Sequence, residues 1–191
     1  MEKESRLEIR RFTTDYAVRE DRIRISVETE DSQIYIMWLT RRLMIRMIPE
    51  FVKYLSEVVP TPTLGVEDRA SAAPNTATRV ELSDNAQRQR QINALGHIEH
   101  QNPVKPKTPD QVNCEELITS LKVQLGRNGV LVNFVADQAS VQKMPFAQDS
   151  LRQWLGILHH QFRKAGWNDD VWPAWIMAKG WNQGPDALRL N

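Results

Sequence analysis

The first 58 residues contain three short stretches with the hydrophobic pattern of β-strands. Apolar and polar residues alternate cleanly in Arg22–Glu28 and more weakly in Leu7–Arg10, which is typical of strands that bury one face. Gln33–Leu39 is apolar at nearly every position, and this predicts a third strand that is covered on both faces. The chain is therefore expected to begin with a three-stranded antiparallel sheet.

A helix is predicted directly after these strands. From Leu43 to Val58, apolar residues recur every three or four positions, which places them on one helix face, and Thr40 is the expected N-cap. Pro49 lies inside this pattern. Because proline has no amide donor and clashes with the preceding turn, we expect a kink or two abutting helices near Ile48.

The last third of the chain has a similar pattern. Leu117–Leu125 and Val130–Ala136 alternate as strands, and Gly126–Gly129 between them is predicted to form a hairpin turn, since its Asn-Gly pair accepts positive φ. Ser140–Met144 is predicted as a third strand. The segment thus repeats the order of strands seen at the start of the chain.

A helix capped by Gln148 or Asp149 and ended at Gly166 is predicted next. Both parts then consist of three antiparallel strands and a helix, which predicts an α+β fold with antiparallel strands backed by helices, arising from a degenerate duplication. The alternative is no duplication, because a hairpin followed by a helix is common. If the parts are duplicates, their sheets are expected to pair edge to edge into one six-stranded sheet backed by two helices, since this removes two exposed edges.

The middle of the chain has a different composition. All 14 aromatic residues lie outside residues 59–113, whereas six of the ten prolines lie within them. Because such a segment has little to bury, it is predicted to be a flexible Pro-rich linker between domains at 1–58 and 114–191. Within it, Ser83–His100 has apolar residues at roughly helical spacing, so a helix there and an irregular chain are both open.

Charge and hydropathy exclude several classes of protein. The 25 basic and 24 acidic residues give a net charge of +1, which argues against nucleic-acid binding. A mean hydropathy of −0.51, with no long apolar run, argues against membrane insertion. Met1–Arg6 leads into no apolar segment, so no secretory signal is expected. The single cysteine, Cys114, fits a reducing compartment, and the predicted location is the cytoplasm.

The search for catalytic chemistry finds no nucleophile, phosphate-loop or dinucleotide motif. Cys114 lies among acidic neighbours that oppose thiolate formation. His97 and His100 have helical metal-ligand spacing, but they lie in the aromatic-free segment, where nothing is expected to orient them. The sequence therefore predicts a protein without catalytic residues, metal site or cofactor.

Tryptophan is concentrated near the end of the chain, with five residues between Trp154 and Trp181. A short helix is predicted there, and it places Trp172, Trp175 and Ile176 on one face. Two interpretations are open. The face packs on the core, or it binds a protein partner, because tryptophan beside aliphatic residues is typical of interface hot spots.

Arg42 and Arg46 are the second candidate for partner binding. They lie four residues apart on the first predicted helix and share a face. They are expected to clamp a phosphate, to contact an acidic partner, or to form a solvated helix side paired with Glu50.

These observations predict a non-enzymatic cytoplasmic interaction or assembly protein that acts through a sheet edge and its Trp-rich tail. A protein partner or self-association is expected, and nucleic acid is disfavoured. The alternative is a small-ligand-binding protein or an enzyme whose site forms only where the two halves meet, so that no local motif reveals it.

Overall fold

The computed structural model describes residues 9–57, 76–97, 102–106, 108–137, 139–168 and 170–176. The elements in chain order are β1 (Ile9–Ala17), β2 (Arg22–Thr29), β3 (Ile34–Leu39), α1 (Arg41–Glu57), α2 (Thr76–Gly96), a 3₁₀ turn (Pro109–Gln111), β4 (Val112–Leu117), β5 (Ser120–Leu125), β6 (Gly129–Ala136), β7 (Ala139–Ala147) and α3 (Gln148–Ala165). Strands and helices are largely separate along the chain, and the strands are mostly antiparallel, so the predicted α+β class is confirmed.

The first sheet has the strand order β1-β2-β3-β4. β1, β2 and β3 are antiparallel neighbours, whereas β4 is parallel to β3. Alternate residues from Tyr35 to Leu39 lie in the main core, and Ile34 and Ile36 pack against Val104 on the opposite face. The prediction that β3 is covered on both faces is therefore confirmed, but the parallel strand was not predicted.

The second sheet is antiparallel with the order β5-β6-β7. The predicted strand Leu117–Leu125 is divided between the two sheets at Ile118 and Thr119. The Ile118 amide donates to the Trp38 carbonyl at 2.9 Å, and the Thr119 amide donates to the Val135 carbonyl at 2.9 Å. The described strands thus form a four-stranded and a three-stranded sheet, so the expected single six-stranded sheet is wrong. Because only the first contains a parallel strand, the duplication is not confirmed.

The predicted hairpin turn is present, but for a different reason. The Gly126 amide donates to the Gly129 carbonyl at 2.9 Å, while Asn128 and Gly129 both have negative φ. Gly129 lies where β6 approaches β7 so closely that a Cβ would be 2.2 Å from the Phe146 carbonyl oxygen. Close strand contact, rather than positive φ, requires glycine at this position.

α1 begins as predicted and continues through its proline. The Leu43 amide donates to Thr40 Oγ1 at 3.2 Å, which confirms the predicted N-cap. Pro49 lies inside one uninterrupted helix, so the expectation of two abutting helices is wrong. Pro49 is exposed. The missing hydrogen bond is therefore on the solvent side of the helix, where its loss is tolerated more easily than in the core.

The ends of α3 match the prediction only in part. The N-cap is Ala147, and it makes no side-chain hydrogen bond, so capping by Gln148 or Asp149 is wrong. Asp149 lies in the first turn instead, where a carboxylate interacts favourably with the helix dipole. Gly166 ends the helix with φ of 64°, which confirms the predicted left-handed C-cap.

α2 lies inside the predicted linker and packs on α3. Gln91 Nε2 donates to the Arg152 carbonyl at 2.9 Å, and Gln153 Nε2 donates to the Ala94 carbonyl at 2.9 Å. Gln87 and Gln91 are buried although they are polar. This part of the predicted linker is therefore an ordered helix. Few apolar residues are needed here, because glutamine side chains bonded to backbone groups form much of the buried face.

One core joins the two sheets with α1 and α3. Phe12 of β1 contacts Phe146 of β7 edge to face, with ring centroids 5.9 Å apart, and Trp154 of α3 stacks on Phe146 at 4.7 Å. Trp154 Nε1 also donates to Thr14 Oγ1 at 3.1 Å. The first and last parts of the chain therefore share their hydrophobic core. Among the described residues, no helix combines the length and the apolar character needed to cross a membrane.

Candidate functional site

The structure buries the three tail residues that were candidates for partner binding. Trp172, Trp175 and Ile176 are 4%, 2% and 4% exposed and belong to the main core. The Trp172 ring lies 5.3 Å from the rings of both His159 and Phe162 on α3. A docking role for these side chains required exposed rings. Their burial supports the other interpretation, which is packing of the tail on α3.

Trp167, at the start of this tail, is hydrogen-bonded to Asp21 in the turn between β1 and β2. Asp21 accepts hydrogen bonds from the Tyr16 hydroxyl at 2.8 Å and from Trp167 Nε1 at 3.0 Å. The hydrogen bond from Tyr16 lowers the pKa of the Asp21 carboxyl, and the bond from Trp167 and the charge of Arg41 act in the same direction. The Asp21 carboxylate therefore has a structural role in the tail.

Arg42 and Arg46 are both exposed on the outer side of α1. Neither forms an ion pair with Glu50, and the ion pair found within this helix joins Lys53 to Glu57 at 3.8 Å. The two arginines are therefore available at the surface. Nothing in the described part of the chain brings them to the buried tail tryptophans.

β4 presents an open edge of the first sheet. It pairs with β3 on one side, and in the described structure no strand pairs with its other side. Every residue of β4 is exposed or half-exposed. Leu117 is 39% exposed, although large apolar residues in strands are usually buried. An accessible edge with an apolar side chain is a template for pairing with another chain.

The hydrogen bond of Ile118, the residue after β4, shows which backbone amides of β4 point away from β3. Because the Ile118 amide donates to the carbonyl of Trp38, and successive amides of an extended strand point to opposite sides, the amides of Glu115 and Leu117 point away from β3. Within the described part of the chain, neither amide has a backbone acceptor. Two outward donors are thus available to an added strand.

The edge is also acidic. Glu115 and Glu116 are both exposed. Glu115 accepts a hydrogen bond from Trp38 Nε1 at 2.8 Å, which fixes its carboxylate beside the edge, whereas Glu116 has no ion pair with any described residue. A segment that adds to β4 therefore meets two negative charges and the apolar side chain of Leu117.

A polar depression of about 250 Å³ lies at the end of the first sheet. Its lining combines three cations, one carboxylate, two neutral polar residues and an apolar floor: Arg10, Arg11, Lys105, Glu28, Ser32, Gln111 and Ile34. These residues come from three strands, the β2–β3 turn and the segments before β4. The sequence pattern does not reveal this site, because more than 90 positions separate Arg11 from Lys105 and no local motif joins them.

A buried arginine lies at the junction of α2 and α3. Arg152 is 2% exposed; it donates through a terminal guanidinium nitrogen to Gln87 Oε1 at 2.5 Å and lies 5.2 Å from the centroid of the Trp175 ring. Burial lowers its pKa to about 10. These contacts tie the tail to both helices, and we assign the residue a structural role.

The described residues offer neither a metal site nor an activated thiol. They contain no group of three or more His, Cys, Asp or Glu residues that could hold a metal ion. Cys114 is half-buried, and burial together with the charge of Glu116 raises the pKa of its thiol. A raised pKa disfavours the reactive thiolate.

Comparison of the chain with protein-family models, with curated proteins and with solved structures finds no match. The candidate surfaces therefore stand on geometry and charge.

Proposed function

We propose that this protein is a non-enzymatic cytoplasmic interaction protein that binds an extended, basic segment of a protein partner along β4. The observation that carries the proposal is the open edge of β4 with its two outward amides. Strand addition uses such amides for affinity and the neighbouring side chains for specificity. The partner segment would pair with the backbone of β4 while its lysines or arginines contact Glu115 and Glu116.

Three further observations support this choice. Leu117 provides an apolar contact at the end of the edge, and a buried apolar contact usually adds more affinity than a rim charge. The junction of the two halves is filled by the rings of Phe12, Phe146 and Trp154. That packing disfavours the alternative of an enzyme or ligand site at this junction. The free thiol of Cys114 agrees with the proposed reducing compartment.

The proposal is tested with a fluorescent peptide of alternating lysine and valine, titrated with the full chain and followed by fluorescence anisotropy. We expect saturable binding. A second peptide carries N-methyl groups on alternate residues, so that one of its edges cannot donate hydrogen bonds while its charge is unchanged. A third peptide carries the N-methyl groups on the other set of alternate residues, so that its opposite edge cannot donate. The peptide whose methylated edge faces β4 is expected to lose about tenfold or more in affinity, and the other methylated peptide is its control.

The acidic contact is tested with Glu116→Lys, and Glu50→Lys on α1 is the matched control, because both positions are exposed. The first variant is expected to weaken peptide binding several-fold and the second to leave it unchanged. Equal affinity for all methylated peptides would reject strand addition and leave only attraction between charges. Absence of saturable binding would reject the edge as the site.

A further inference from the structure

The depression at the end of the first sheet has an excess of positive charge in its lining. Arg10, Arg11 and Lys105 face a single carboxylate, Glu28, which leaves two positive charges uncompensated by the lining residues. Concave surfaces of one charge sign concentrate ions of the opposite sign. The three cations differ in how far their charges are already used in ion pairs and hydrogen bonds within the protein.

Arg11 is engaged within the protein. Its Nε donates to Glu28 at 2.5 Å, and a terminal guanidinium nitrogen donates to the carbonyl of Asn102 at 2.9 Å. Glu28 is largely buried, with 12% of its side chain exposed. These bonds hold the carboxylate on Arg11 and fix the chain segment that carries Lys105 against the sheet. Arg11 and Glu28 therefore form the wall of the depression.

Arg10 and Lys105 are the cations that remain accessible. The side chain of Arg10 is 49% exposed, and its nearest nitrogen lies 3.5 Å from Glu28, in an ion pair without a hydrogen bond. Lys105 is exposed and forms no ion pair with any described residue. A guanidinium group with unused N–H donors and an ammonium group thus border the same depression.

We propose that this depression binds a phosphoryl group through Arg10 and Lys105. Guanidinium binds phosphate oxygens in pairs, and lysine adds a compact positive charge. Ser32 adds a hydroxyl donor from the turn between β2 and β3, where its φ of 64° holds the backbone in the left-handed region. A volume of about 250 Å³ exceeds that of one phosphate ion and leaves room for the group that carries it. The depression adjoins the start of β4 through Gln111, whereas the outward amides of the proposed peptide edge are those of Glu115 and Leu117.

The test is an NMR titration of the full chain with inorganic phosphate, O-phosphoserine and acetate at constant ionic strength. We expect both phosphate compounds to shift the amide signals around Ser32 and Lys105 to saturation, while acetate produces no saturable change. Tighter binding of O-phosphoserine assigns the site to a phosphoryl group on a larger molecule. Tighter binding of inorganic phosphate assigns it to the free anion.

The variants Arg10→Ala and Lys105→Ala are each expected to weaken phosphate binding about tenfold, and their combination to abolish it. Arg127→Ala removes an exposed arginine from the turn between β5 and β6 and is the matched control, with unchanged affinity expected. Because all three side chains are at the surface, the melting temperatures should match that of the wild type. Wild-type affinity in the double variant, or equal responses to acetate and phosphate, would overturn the proposal.

Discussion

Asp21 connects the turn between β1 and β2 to the C-terminal aromatic segment. Its carboxylate accepts hydrogen bonds from Tyr16 and Trp167, and these bonds lower its pKa. An aspartate whose pKa is lower in the folded than in the unfolded chain stabilises the fold at pH values above the unfolded pKa of about 3.9. This stabilisation is lost as the pH falls through the folded pKa.

Asp21→Asn separates the charge from the geometry, because asparagine keeps an acceptor oxygen and tolerates the φ of 47° at this position. We expect the variant to be less stable than the wild type at neutral pH, with a difference that shrinks as the pH falls below about 4. Urea unfolding followed by tryptophan fluorescence measures the difference at each pH.

The matched control is Asp137→Asn, where the aspartate also has positive φ, at 44°, and is exposed. Asp137 has no hydrogen bond to an aromatic side chain in the described residues, so this substitution tests only the turn conformation and the net charge. A constant difference between wild type and Asp21→Asn across the whole pH range would show that the carboxylate charge does not contribute.

At the residue scale, strand alternation and helical spacing each identified core side chains correctly, one in β2 and one in α3. Ile25 and Leu155, which the sequence pattern placed in the interior, are fully buried. The proposed phosphoryl site could not be found in the same way, since Arg10 and Lys105 meet only after the segment before β4 crosses the sheet. The spacing of residues within a short segment does not predict which distant residues come together in the fold.

Among the elements, the hairpin between β5 and β6 depends on a close contact with β7. Because a Cβ at Gly129 would be 2.2 Å from the carbonyl oxygen of Phe146, the backbone of one strand must move to admit alanine. We expect Gly129→Ala to lower the free energy of unfolding by about 1–3 kcal/mol, as overpacked interiors do. Chemical denaturation measures the change.

Gly96→Ala is the control for this substitution. Nothing lies within 4 Å of a Cβ built at Gly96, which is the last residue of α2. Since alanine favours helix, this variant is expected to keep the wild-type stability or to gain up to about 1 kcal/mol. Equal effects of the two substitutions would mean that the distance between β6 and β7 does not constrain residue 129.

Most helices and strands were predicted from the sequence. The prediction failed for elements that pair with a segment distant in sequence or that bury polar side chains. Hydrophobic spacing located α1, α3, β2, β3, β6 and β7. The first strand, predicted at Leu7–Arg10, is instead β1 at Ile9–Ala17. β4 was missed because half of its residues are polar, none is fully buried, and it pairs with β3 across a long chain separation. The packing of α2 was missed because Gln87 and Gln91 replace an apolar stripe. In each case the stabilising contact lies far away in sequence, and periodicity does not detect it.

In the whole molecule, the two outer parts of the chain are held together by contacts that do not require a continuous backbone. β3 and β4 form a parallel ladder, the Tyr16 amide donates to Gln161 Oε1 at 3.0 Å, and Phe12 packs on Phe146. Each part alone would expose a large share of this common core. Small units of about 60 residues bury too little surface to tolerate such a loss easily.

A specific protease site inserted between Pro62 and Thr63 allows one cut in the Pro-rich region. After complete cleavage, we expect the two fragments to elute together from gel filtration at the volume of the uncut chain, because the shared core and the β3–β4 ladder join them across the cut. The same sample in denaturant should give two separate species, which confirms that cleavage was complete. Two folded fragments that separate without denaturant would show that the halves are independent domains, and the single core described above would then not hold the molecule together.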